Sequence, residues 1–297
     1  MPDVPVRVLA KSPPLPLLYV RTALSAVPGA SLLMGRGHRP RNGDVPDLRL
    51  ELHDVTVDAD HLAAYREVCR YPPRPGLPAT YLHVLAFPLH LVLMTKGGFP
   101  FAPMGLVHVA NRIEQVRPIG IDESLDLAVW AEDIHPHTRG RTVTVVSEGS
   151  VRGEVVWRDE TVLLKRGPGD PDAPDVQEPL PSEASPSGPA RWPLAGNLSR
   201  RYAAVSGDRN PIHLYDLTAK PFGFRRHIAH GMWTKARCLA ALDNRLSDAF
   251  RVEVAFRKPI ELPGTALFGA RQLPGRLDFD VHGTSGSTHL AGCVTTS

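Results

Sequence analysis

Cysteine is scarce and scattered. The chain has three, Cys69, Cys238 and Cys293, and none belongs to a C-x-x-C pair. That excludes a disulfide framework, argues against a structural zinc site and suits a reducing compartment. Long hydrophobic runs are missing too. The longest, Tyr81–Met94, is interrupted by His83, Pro88 and His90 and falls short of the roughly 20 residues a membrane-spanning helix needs. Near the N-terminus the apolar stretch after Arg7 and Lys11 is broken by Pro13, Pro14 and Pro16, so no signal peptide is expected. Charge of one sign is also lacking. Lys and Arg number 34 against 31 Asp and Glu, a net charge of +3, too small an excess to mark a nucleic-acid-binding face. A cytoplasmic protein without a membrane span is the expectation.

Proline is plentiful: 30 of 297 residues, about twice the usual share. That works against long unbroken helices, hence against a coiled coil or helical solenoid. Much of it gathers in Arg166–Ala190, which holds seven Pro, three Gly, three Ser and five acidic residues. Such a segment cannot bury a core and reads as an extended linker. It divides the chain into residues 1–165 and 191–297, each a reasonable size for a domain.

The two parts share a pattern. Val107 and Val109 followed by Arg117-Pro118-Ile119 resemble Val252 and Val254 followed by Arg257-Lys258-Pro259-Ile260. A weak internal repeat implies two copies of one fold; the alternative is chance similarity between two amphipathic hairpins. Alternating runs at Thr142–Ser147, Val155–Lys165, Leu277–Val281 and His289–Thr295 read as strands. They follow apolar helical stretches at Ala79–Met94 and Gly231–Leu246. A buried helix wrapped by an antiparallel sheet, twice over, is an α+β arrangement.

One segment carries the chemistry: Tyr202–Ala236. Ser206-Gly207-Asp208 and Asn210-Pro211 form a dense turn cluster that holds Asp208 at a fixed place. Pro211 can open a short helix and set His213 on its first turn. Asp208 and His213 can then converge on one small volume, where a carboxylate and an imidazole grip a water and exchange protons near neutral pH. Gly231, after His230, opens a helix whose free N–H groups and dipole suit a developing oxyanion. An acid/base pair beside an oxyanion donor suits proton abstraction next to a carbonyl, with water lost or gained at the next carbon. Spacing leaves open which of the two groups moves which proton.

Ser206, Gly207, Asp208, Asn210, Pro211, Ile212 and His213, then Gly223, Phe224, Ile228, Ala229, His230, Gly231 and Met232, form a pattern. It resembles the MaoC-like, R-specific enoyl-thioester hydratase family. Length and the degenerate first part resemble the double hot-dog dehydratases of actinobacterial type. The resemblance implies a double hot-dog fold. It implies a (3R)-hydroxyacyl-thioester dehydratase working without metal or organic cofactor on a substrate carried by coenzyme A or acyl carrier protein. It also implies Asp208 and His213 as the catalytic pair, Gly231 N–H as the thioester-oxygen donor, and Ser206 and Asn210 as braces. The corresponding loop of the first part, Val68–Pro78, has no Asp-x-x-x-x-His, so one active site per chain is expected, in a monomeric pseudo-dimer or a homodimer. The degenerate part is expected to give room for an acyl chain, with Leu89 and Leu93 as the residues that limit its length.

Other readings compete. His227, His230, His213 and Asp208 match no common metal spacing, and His230 reads better as bonding nearby backbone. Ser206 lacks a nucleophile elbow. Cys69 lies near Arg70 and Arg74, as a reactive thiol would, but reads better as a passive one. His83 and His90 read as core or tunnel residues. Arg200-Arg201 and Arg225-Arg226 form either a solvated face or a dock for an acidic carrier. A non-catalytic thioester-binding subunit would lack the Asp208/His213 pair, and a hot-dog thioesterase needs a carboxylate that Gly231–Leu246 offers only at Asp243. A side chain at Gly231 is expected to block the thioester while leaving the helix start foldable.

Overall fold

A computed structural model describes residues 4–19, 45–95, 99–173 and 190–296. The first part of the chain supplies strands β1 (Val6–Leu9) and β2 (Arg49–Val55) and helices α1 (Ala59–Cys69) and α2 (Ala79–Thr95). It continues with β3 (Val107–Gln115), β4 (Leu125–His137), β5 (Gly140–Val151) and β6 (Glu154–Arg166). The second supplies β7 (Ala190–Leu194), α3 (Leu198–Ser206), a 3-10 turn at Pro211–His213, the single-turn α4 (Asp216–Ala219) and α5 (Gly231–Leu242). Strands β8 (Phe250–Phe256), β9 (Gly264–Leu273), β10 (Arg276–Gly283) and β11 (Thr288–Thr296) complete it. Most of the linker read from the sequence, residues 174–189, lies outside the described residues.

All strands join one sheet in the order β1-β2-β4-β5-β6-β3-β8-β11-β10-β9-β7. Among the described residues, only β1 and β2 pair in parallel. From β2 to β3 and from β7 to β8 the same connectivity repeats outward from the centre, so β3 and β8 are equivalent strands and α2 and α5 equivalent helices. The weak internal repeat is therefore structural. Its two copies meet each other, with Ala110 opposite Ala255, Ile113 opposite Val252 and Gln115 opposite Phe250. The double hot-dog arrangement is the one the motif implied.

Each helix is buried against its own half of the sheet. Helix α2 is apolar nearly all round, as a fully enclosed helix must be. Pro88 sits inside it and removes one backbone donor. The second helix ends at Leu242 rather than Leu246, because Asp243–Arg245 tightens into a 3-10 turn before β8. Lys235, near the start of α5, is fully buried. No helix among the described residues is long and apolar enough to cross a membrane.

Candidate active site

Helix α3 ends at Ser206, and Gly207 takes the left-handed conformation, φ 74°, that reverses the chain. A Cβ there would also lie 2.5 Å from the Leu15 side-chain tip, which can give way, so it is the backbone conformation that calls for glycine. The turn that follows ties itself to its own side chains. Ser206 Oγ accepts from Asp208 N at 3.2 Å, and Asp208 Oδ1 accepts from Asn210 N at 3.0 Å. Asn210 reaches into the first half: its Nδ2 donates to Leu106 O at 3.1 Å. Pro211 opens the 3-10 turn and His213 closes it. Tyr19 adds a latch, donating to Gly207 O at 2.8 Å and accepting from Arg209 N at 2.7 Å.

An Asp208 carboxylate oxygen, a His213 ring nitrogen and a His230 ring nitrogen all lie within 4.8 Å of one another. His213 Nδ1 bonds to Ile228 O at 2.9 Å, so it carries the proton and leaves Nε2 as the bare nitrogen. Burial pulls the His213 pKa down to about 3, with the neighbouring His230 adding to the fall and Asp208 opposing it. The ring is thus a neutral acceptor at neutral pH. His230 bonds through Nε2 to Asp208 O at 3.0 Å, the backbone role read from its position. His227 stands apart: its nitrogens meet Asp216 Oδ1 at 2.5 Å and Gly196 O at 2.8 Å. The four-ligand metal reading therefore loses one member.

Gly231 begins α5, and the first bond of that helix runs from Thr234 N to His230 O at 3.1 Å. The N–H of Gly231 thus precedes the ladder. Gly231 lines a cavity of about 80 Å³ together with His213, Phe256 and a basic rim of Arg139, Arg166, Arg257 and Lys258. A second cavity of about 50 Å³ lies beyond the pair. Its walls include the apolar Phe87, Leu91, Met94, Leu106 and Leu163 together with Asp208, Asn210 and His213. His108 and His213 line both cavities.

Residues 181–273 match the MaoC like domain family. Over 261 residues, 86% of this chain, the protein is 36% identical to 3-hydroxyacyl-thioester dehydratase X of Mycobacterium tuberculosis, covering 91% of that relative. The chain belongs to the MaoC-like dehydratase family. The crystal structure of that mycobacterial relative superposes with a TM-score of 0.74 at 35% identity, over 84% of this chain and all of the other. A MaoC-like dehydratase from Phytophthora capsici shares the fold, with TM-score 0.68 and 16% identity over 89% of this chain and 98% of the other. So does a conserved hypothetical protein of Mycobacterium tuberculosis with a double hot-dog fold, with TM-score 0.50 and 13% identity over 82% and 93%.

Three features of this MaoC-like site escaped the sequence. His108 faces both cavities from β3, where Val107-His108-Val109 looks like ordinary strand alternation. Burial pulls its pKa down to about 4, with His83 contributing. The basic rim comes from three separate segments, whereas the Arg200-Arg201 pair visible in the sequence is engaged elsewhere. Arg200 donates to Leu214 O and lies over the Tyr215 ring, and Arg201 pairs with Glu67. Leu89 and Leu93 are fully buried in the core rather than on the cavity wall. The face that reaches the cavity is His83, Phe87, Leu91 and Met94, offset from them around the helix. Cys69 is buried, and burial pushes its thiol pKa up, so it has no thiolate character.

Proposed function

We propose that the chain interconverts a (3R)-hydroxyacyl thioester and the trans-2-enoyl thioester, as a hydro-lyase of its family. The observation that carries this is a neutral His213 with a bare Nε2, beside the Asp208 carboxylate, at the mouth of a helix whose first N–H is free. In dehydration His213 Nε2 takes the proton from the α-carbon. The negative charge moves to the thioester oxygen, which the Gly231 N–H and the α5 dipole stabilise. The same proton, held between His213 and Asp208, then leaves with the β-hydroxyl as water. The enzyme ends in the protonation state in which it began, and the reverse sequence hydrates the enoyl thioester. No metal or organic cofactor enters this reaction.

The carrier enters by the basic rim, where Arg139, Arg166 and Lys258 suit the phosphates of coenzyme A or the acidic face of a carrier protein. The acyl tail runs past His213 into the second cavity, so residues 1–165 supply the tail site and residues 191–297 the catalytic pair. The test is to follow the enoyl absorbance of crotonyl-CoA and of longer enoyl-CoAs. Loss of absorbance with formation of the R alcohol is expected, and hydrolysis to free thiol without hydration would overturn the reading in favour of a thioesterase.

A further inference from the structure

The chain holds a second His–Asp pair that the reaction above does not use. His83, on α2, meets the Asp159 carboxylate through Nδ1 at 2.5 Å, and both are buried. Asp159 also accepts from Thr161 Oγ1 at 3.2 Å and from the Asn111 amide. Asn111 in turn accepts from the buried Lys235 ammonium of α5. His83 and Lys235 are each the fifth residue of their helices, so one hydrogen-bonded chain ties equivalent points of the two halves across the β3–β8 seam. Burial lowers the Lys235 pKa to about 7, with Asp159 and Glu253 opposing the fall, and its Nζ donates to Asn111 Oδ1 and Val252 O.

Burial alone would raise the Asp159 carboxyl. The His83 ring and the Lys235 ammonium outweigh that and hold it below the usual carboxylate range. The bond to Asp159 occupies Nδ1 and leaves Nε2 to bond a group inside the cavity. No described residue meets Nε2, and the ring lines the tail cavity, beside His90, His108 and Thr161. His90 and His108 stand 5.1 and 6.1 Å from His83 between ring centroids, so this wall is polar while Phe87, Leu91 and Leu163 make the rest apolar.

A plain alkyl tail would displace water from Nε2 and put nothing in its place, leaving a buried polar atom unpaired. A tail with a hydroxyl at that depth restores the bond. We propose that the tail cavity selects acyl thioesters carrying a second hydroxyl, distal to the β-carbon, which hydrogen-bonds to His83 Nε2. The proposal rests on the reading that the acyl tail enters this cavity.

The test uses the full chain and unreactive saturated ligands. Binding of decanoyl-CoA is compared by calorimetry with hydroxydecanoyl-CoAs whose hydroxyl is moved one carbon at a time along the distal half. One position is expected to bind about 10- to 100-fold tighter than the plain chain, the weight of one buried hydrogen bond kept or lost. In His83→Leu that advantage disappears while plain decanoyl-CoA binds at least as well. The wild-type scan stands on its own if the variant does not fold. Plain binding with a flat scan overturns the proposal alone. An advantage that survives in folded His83→Leu overturns the assignment to His83. Failure of every ten-carbon ligand to bind, with crotonyl-CoA still hydrated, overturns the tail-cavity reading and the proposal with it while leaving the reaction standing.

Discussion

His213 and His230 lie face to face, with ring centroids 3.7 Å apart and planes inclined by 24°. Each spends one nitrogen on a main-chain carbonyl, Ile228 O and Asp208 O, so the stack fixes the ring proposed to move the proton and the backbone of the residue proposed to share it. Asp208→Asn removes a proton acceptor at nearly constant shape, and His213→Gln removes the base. Each is expected to cost about 10²–10⁴-fold in kcat on an enoyl-CoA, the usual weight of general acid–base catalysis. The double variant is expected to be little worse than the poorer single one, because both groups act on one proton. Near-normal turnover in folded Asp208→Asn would remove the pair from the mechanism.

The same burial predicts a pH dependence of stability. His90, His213 and His230 are pulled down to about 3 and His108 to about 4, in each case mainly by burial. In the unfolded chain these rings titrate near 6.5. As pH falls through that value the unfolded state takes up protons that the native state refuses. Their contribution is thus intact above about pH 6.5 and is lost as pH falls toward 4, at up to ~1.4 kcal/mol per pH unit for each ring. Urea unfolding at several pH values between about 7 and 5 measures that slope, and His108→Leu should flatten it by one ring's share. A slope unchanged by His108→Leu would mean that this ring titrates in the native state.

Gly231 is more constrained than a helix start alone requires. A Cβ built there comes within 3.1–3.3 Å of the Phe256 ring. Gly231→Val is therefore expected to lower Tm as well as activity, which revises the expectation of an untroubled fold. Adding Phe256→Leu should recover Tm by relieving the contact. It should not recover activity, since the added side chain still covers the N–H. Recovery of both together would place the oxyanion donor elsewhere.

Legibility in the sequence followed range. The Ser206–His213 turn was readable because its bonds are local: Ser206 to Asp208, Asp208 to Asn210, Pro211 opening the turn. The paired halves were readable because Val107/Val109 and Val252/Val254 keep the same alternation on equivalent strands. His108, the basic rim and the Lys235–Asn111–Asp159–His83 chain were not. Each brings together segments that lie tens of residues or more apart, as Lys235 and Asn111 do at a separation of 124, and none has a spacing of its own. The tail-cavity face of α2 was misjudged for a related reason: a helix buried nearly all round carries no hydrophobic stripe to say which side is hollow.

That hollow side gives a test of chain-length selection. Leu91 and Met94 line the tail cavity, so Leu91→Trp should fill it and move the preference toward short enoyl-CoAs. Each methylene denied burial costs ~0.8 kcal/mol of binding, so kcat/KM for a ten-carbon substrate should fall far more than for crotonyl-CoA. Leu89→Trp, in the packed core, should instead lower Tm through overpacking, by the ~1–3 kcal/mol usual for such insertions, without a selective shift. A length profile in Leu91→Trp identical to the wild type would place the tail outside this cavity.

Residues 191–297 hold the proposed catalytic pair but lean on the first half at several points. Strand β8 pairs with β3 over six residues, from Ala255 to Phe250. Asn210 donates to Leu106 O, and Trp233 Nε1 donates to Val68 O at 3.1 Å. If residues 1–165 are removed, Lys235 loses Asn111 and keeps only Val252 O, at 3.3 Å, and disrupting the surroundings of a buried ammonium in this way is destabilising by about 3–5 kcal/mol. The fragment would also expose β8 as an unpaired edge, a template for aggregation. Expressed alone, residues 191–297 are expected to be insoluble, or folded only as a self-paired dimer, and inactive on medium-chain enoyl-CoAs. Adding Lys235→Met should improve its solubility by removing the orphaned charge, without restoring activity on those chains, because the tail cavity is gone. Size-exclusion chromatography together with the enoyl-CoA assay reads both. A monomeric fragment with the parent's activity and length preference would show that the first half serves neither the fold nor the substrate.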